Sequence, residues 1–113
     1  MSYSEKLADI VREHIADLPS IEEKEMFGGL VFMYNEKMCV GIIKDGLMCR
    51  IDPDLFEEML EKQGVTPLAS TTSMKGFLVI DETGLRTRKD FEFWIGLALI
   101  YNSKAKKTVK KKK

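Results

Sequence analysis

Wound as a helix, the N-terminal segment places Tyr3, Leu7, Ile10, Val11, His14, Ile15 and Leu18 on one stripe, with Glu5, Lys6, Asp9, Arg12, Glu13 and Asp17 elsewhere. Ser2 followed by Glu5 has the spacing of a capping box, and Pro19 is the expected stop. The helical period then ends. Ile21 to Glu25 reads as an acidic connector, and Met26-Phe27-Gly28-Gly29 leads into Leu30-Val31-Phe32-Met33-Tyr34, a β-prone run that predicts the first strand.

Asn35-Glu36 predicts a tight turn, because Asn tolerates positive φ, although Glu replaces the Gly that a type I′ turn prefers. Met38 to Lys44 and Leu47 to Ile51 complete a three-stranded antiparallel meander around Asp45-Gly46. A two-residue loop there pairs Lys44 with Leu47, Ile42 with Cys49 and Val40 with Ile51, an apolar face. Gly41 opposite Arg50 and Ile43 opposite Met48 make the more polar one. Cys39 and Cys49 then lie on opposite faces; a longer loop with a bulge would reverse that.

Asp52-Pro53 opens a second helix with an N-cap residue and a proline at its first position; Leu55, Phe56, Met59 and Leu60 form its stripe, and Gly64 ends it. A short extended piece around Val65 to Leu68 precedes a buried strand over Met74 to Ile80, and Asp81-Glu82-Thr83-Gly84 is turn chemistry. Thr87 with Asp90 caps a last helix from about Arg88 to Asn102. The expected class is α+β: two layers, an antiparallel sheet with flanking helices, in the order α-β-β-β-α-(β)-β-α.

The last helix carries more apolar surface than one contact uses. Phe91, Trp94, Ile95, Ala98 and Tyr101 make one stripe, and Phe93, Leu97 and Ile100 make a second. The second stripe is either a surface for self-association or a partner, or it packs under the first helix or a loop of the same chain.

Composition narrows the reading. The 113 residues allow one domain, and 44% hydrophobic with 32% charged residues is a globular balance. The domain is expected over residues 1–103. The formal charge of zero conceals a polarity, since Lys104 to Lys113 holds seven of the 18 basic residues and no acid. That segment, residues 104–113, is expected to be a solvated or disordered tail whose Lys104, Lys106, Lys107, Lys110, Lys111, Lys112 and Lys113 attract polyanions without selecting among them. The tail has no aromatic residue for base stacking and the acidic body offers no basic groove, so nucleic-acid binding through it is the second reading. No apolar run or leader-like segment marks a membrane or secreted protein, and a cytoplasmic location is expected.

Catalytic patterns are missing from the sequence. His14, the single histidine, sits on a helix stripe as a packed residue would, and no HExxH, GxSxG or metal-ligand spacing occurs. Cys39 and Cys49 read as buried structural thiols. Gly28-Gly29 lacks the following Gly-Lys-Ser/Thr of a phosphate cradle; the plainer reading is a bulge or a close backbone approach at the strand entrance. No catalytic, cofactor or metal residue is therefore nominated.

Met26-Phe27-Gly28-Gly29, the hairpin strands, Met48-Cys49-Arg50-Ile51-Asp52 and Lys75-Gly76-Phe77 before a Trp-containing last helix resemble the TfoX N-terminal domain family. The resemblance covers roughly Ser4 to Tyr101. The family includes regulators of natural competence, also called Sxy, and implies a compact α+β domain without known catalysis and without agreed catalytic residues. The competence regulators carry a second, C-terminal domain where this chain has its lysine tail, so a stand-alone domain is expected. Glu36 stands where the family's hairpin commonly has Gly. The function expected is a non-enzymatic interaction or regulatory domain, a homodimer or an adaptor to a protein partner, using Phe93, Leu97 and Ile100.

Overall fold

The computed structural model describes residues 3–26, 28–68 and 76–104. The chain runs as α1 (Glu5–His14), β1 (Ile21–Met26), β2 (Gly29–Tyr34), β3 (Lys37–Ile43) and β4 (Gly46–Arg50). A 3-10 turn (Pro53–Leu55), α2 (Phe56–Met59), β5 (Val65–Pro67), β6 (Phe77–Ile80), a second 3-10 turn (Glu82–Gly84) and α3 (Arg88–Asn102) follow. The strands form one antiparallel sheet in the order β1-β2-β3-β4-β6-β5. The expected α+β class and order stand, with one strand added.

The added strand is β1. From sequence alone Ile21 to Glu25 reads as a connector, because four successive charged residues hide any alternation. In the fold they occupy the sheet edge, where Glu22, Glu23, Lys24 and Glu25 are all exposed and only the β2 side is paired. Charge suits an edge strand, since it discourages another chain from pairing there. Arg12 of α1 ties the edge down: its Nε donates to Glu23 Oε2 and its Nη2 to Glu23 Oε1, each at 2.8 Å. That fork holds the Glu23 carboxyl below its ordinary range.

The first helix also differs in its ends. Ser4 is the N-cap, its Oγ accepting from Leu7 N at 3.2 Å, and Ser2 lies outside the described residues. Helical geometry stops a turn ahead of Pro19, because Ile15 leaves the helix at φ −114° and Leu18 N bonds to Ile15 O instead.

The first hairpin turn of the meander is as expected: Tyr34 pairs with Lys37 across Asn35 (φ 56°) and Glu36 (φ 66°), both left-handed. The next is displaced. Ile43 pairs with Gly46 across Lys44-Asp45, so Ile42 faces Leu47, Gly41 faces Met48 and Val40 faces Cys49, a slip of two residues from the expected register. The glycine belongs to the strand rather than the turn: a Cβ on Gly46 would lie 2.6 Å from Val79 Cγ1 and 3.1 Å from Ile80 O of the adjoining β6. An even slip keeps every side chain on its face.

Val40, Ile42, Leu47, Cys49, Ile51, Leu78 and Ile80 thus pack with Val11 of α1 and with Trp94, Ile95 and Ala98 of α3 in the main core. The opposite face, expected to be the more polar, carries a second buried cluster of Val31, Met33, Met38, Met48 and Phe77.

Cys39 is also corrected. Phe32 pairs with Val40 but Met33 with Met38, so Cys39 is the extra residue of a β-bulge, and it joins Cys49 in the main core instead of facing away. Both thiols are free and buried, and desolvation pushes Cys39 up to about 12 and Cys49 well above its ordinary value. A thiol whose pKa is higher folded than unfolded stabilises the fold below the unfolded value and loses that contribution as pH rises towards the folded one. Urea unfolding is therefore expected to show a loss of about 2 kcal/mol for Cys39 alone between pH 9 and 10.5. The paired Cys39→Ala, Cys49→Ala variant should lose less over that interval; an equal loss in both would assign the alkaline sensitivity elsewhere.

Candidate protein-interaction surface

The last helix is built to be held on one side. Thr87 and Asp90 form the expected capping box, with Thr87 Oγ1 accepting from Asp90 N at 3.3 Å and Asp90 Oδ2 accepting from Thr87 N at 3.1 Å. The backbone amides of Arg86 and Thr87, both donating to Asp90 Oδ2, keep the Asp90 carboxyl below its ordinary range. Phe91, Trp94, Ile95 and Ala98 are buried against the sheet. Cys49 Sγ reaches Trp94 O at 3.6 Å across that contact.

The far end is pinned by a polar anchor with little signal in the sequence. Asn102 is 2% exposed, and its Nδ2 donates to Tyr34 O at 3.1 Å while its Oδ1 accepts from Asn35 Nδ2 at 3.3 Å. Lys37 Nζ donates to Asn102 O at 2.8 Å, placing a cation on the helix C-terminus. A terminal Asn after an apolar run is a weak signal, and only the fold brings the β2-β3 turn to it.

The opposite side of α3 is left open. Phe93 is 43% and Ile100 68% exposed, the two large hydrophobic residues in that state among those described. Leu97, the third member of the predicted stripe, is half-buried and packs against the core. Phe93 meets Trp94 edge-on at 5.0 Å between centroids, and Lys62 Nζ stands 5.0 Å above its ring. Gly96 lies between these residues with open space where a side chain would be.

Other candidates are dispersed. His14 is half-buried beside Phe91, its Nδ1 lies 3.0 Å from Ile10 O, and its Nε2 is buried without a hydrogen-bond partner among the described residues. No group of three His, Cys, Asp or Glu among the described residues could hold a metal. Lys104 is exposed and 3.7 Å from Asp52, while Lys106, Lys107, Lys110, Lys111, Lys112 and Lys113 lie outside the described residues. Of the glycine motif, Met26 pairs with Gly29 and Gly28 holds φ 72°, so the motif is the β1-β2 turn; Phe27 lies outside the described residues. A Cβ on Gly29 would strike the carbonyl oxygen of Ile42, which is the close backbone approach expected of it.

A family model of the TfoX N-terminal domain matches residues 13–100. The chain belongs to the TfoX N-terminal domain family. The match covers β1 to β6 and nearly all of α3, so it includes both the glycine turn and the open face of the helix. Membership makes this a competence-regulator-like domain. Searches of the curated proteins and of the solved structures return no match. Among the described residues no helix is long and apolar enough to cross a membrane.

Proposed function

We propose that this TfoX N-terminal domain is a non-enzymatic interaction module of a regulatory system, docking through the outer face of α3, with a second copy or another protein as its occupant. In this reading the domain ends at Ser103, and Lys104 to Lys113 form a separate basic extension. The observation that carries it is the exposure of Phe93 and Ile100 on a helix whose inner face and both ends are already secured. Burying two such side chains contributes about 1.5–3 kcal/mol each before the cost of association.

The sheet edges support the same surface by their unsuitability. One edge is the charged β1, and the other is β5, whose Pro67 removes a donor. Neither invites strand addition.

Ile100→Lys is the direct test, being a cleaner substitution than one at half-buried Leu97. It is expected to leave the melting temperature nearly unchanged and to remove any mass above the monomer in sedimentation. A self-associated wild type whose mass is unaffected by Ile100→Lys would place the interface elsewhere and overturn the reading.

A further inference from the structure

Gly96 stands in the middle of α3, where glycine costs a helix roughly 1 kcal/mol relative to alanine. Nothing among the described residues accounts for it. A Cβ built there meets no atom within 4 Å, whereas at Gly29 and Gly46 the neighbouring strand leaves no room. At about 100° per residue, Phe93, Gly96 and Ile100 fall within roughly 60° of one another around the helix. The missing side chain is a notch between two exposed apolar walls, and a second helix can approach most closely at such a place.

The rim of this notch is predominantly basic, with Glu92 one turn from Gly96 and Asp52 3.7 Å from Lys104 as its acidic neighbours. Lys89 and, continuing the helical period two residues past the end of α3, Lys104 fall on the same side of the axis as Gly96, about 22 Å apart along it, and both are exposed. Lys62 covers Phe93 and Arg88 opens the helix; Glu92 is the one exposed carboxylate of α3.

The rim chooses between occupants. An antiparallel second copy that set Phe93 against its Ile100 would set Lys89 against its Lys104, and a parallel one would set each lysine against itself. Like charges directly opposed disfavour both arrangements. Resting on the α3 interface proposed above, we infer that its occupant is an acidic amphipathic helix of another protein, crossing at Gly96, laying its apolar stripe between Phe93 and Ile100 and setting carboxylates against Lys62, Lys89 and Lys104.

The probe is a fluorescently labelled helical peptide with a leucine stripe and glutamate flanks, titrated by anisotropy against the full chain. Its control carries lysine at each glutamate. The acidic peptide is expected to bind at least about tenfold more tightly than the control and to weaken with added salt. Because Lys104 to Lys113 attracts any polyanion, the deciding variant is Gly96→Leu, which alters no charge and whose Cβ meets no atom within 4 Å among the described residues. It should keep or raise the melting temperature and weaken binding at least about tenfold.

Equal binding by the two peptides, or unchanged binding by Gly96→Leu, would overturn the inference. If neither peptide binds but the chain self-associates and Ile100→Lys abolishes that, the α3 interface stands and the acidic occupant alone is wrong. If neither peptide binds and the chain is monomeric, both readings fall.

Discussion

Gly29→Ala is expected to cost about 3 kcal/mol or more, enough to unfold much of the population at moderate urea, because its single added carbon would occupy the position of the Ile42 carbonyl oxygen. The obstruction is backbone, so no rotamer change relieves it; β2 and β3 must separate near Leu30 and Ile42, where they pair in the main core. Gly28→Ala next to it tests a different property. Gly28 has open space around it but holds φ 72°, so alanine there costs about 1–2 kcal/mol in backbone strain alone. Urea midpoints of the two variants should therefore rank Gly29→Ala well below Gly28→Ala, and the reverse order would mean that turn conformation, not interstrand clearance, is what the motif secures.

Trp94→Ala is expected to destabilise the domain by about 3–5 kcal/mol, in the range for removing a large buried aromatic. Trp94 is 3% exposed, lies in the main core and turns an edge towards Phe93. As the chain's single tryptophan it also reports on its own environment. Wild-type emission should shift to the red on unfolding, and Trp94→Phe, which keeps an aromatic ring in place, should lose much less stability than Trp94→Ala. Equal losses for the two would show that a phenyl ring does not replace the packing of the indole.

The legibility of this fold in its sequence followed the physics of each element. The α3 boundaries are readable because Thr87, Asp90 and the apolar period act within one turn of helix, whereas Asp52-Pro53 opens only the 3-10 turn Pro53–Leu55, and α2 (Phe56–Met59) follows without a side-chain cap and stops short of the expected end at Gly64. The β1 strand is not readable, since an exposed edge needs no apolar alternation and Ile21 to Glu25 has the pattern of an acidic connector. The hairpin slip came from assigning Gly46 to a turn when its glycine serves contact with β6, a strand more than thirty residues away. The bulge at Cys39 is likewise a property of pairing rather than of the residue.

The candidate surface was partly readable. Phe93 and Ile100 followed from an excess of apolar residues over one stripe, while Leu97 proved to be shared with the core. Gly96 and the basic rim required the folded neighbourhood: a mid-helix glycine is ambiguous until the space around it is known, and Lys62 comes from outside the helix.

The strand order also sets a schedule for synthesis. From β1 to β4 every strand pairs with its successor in the chain across a two-residue loop, so these contacts close cheaply and need only the first half of the polypeptide. The helix that covers their inner face begins at Arg88, nearly forty residues after β4 ends at Arg50. At about 5–20 residues per second, a nascent chain therefore waits several seconds between completing four strands and emitting their cover. During that interval Val40, Ile42, Leu47 and Cys49 lack the burial that α3 provides, and the growing chain is a client for whatever shields apolar surface near the ribosome.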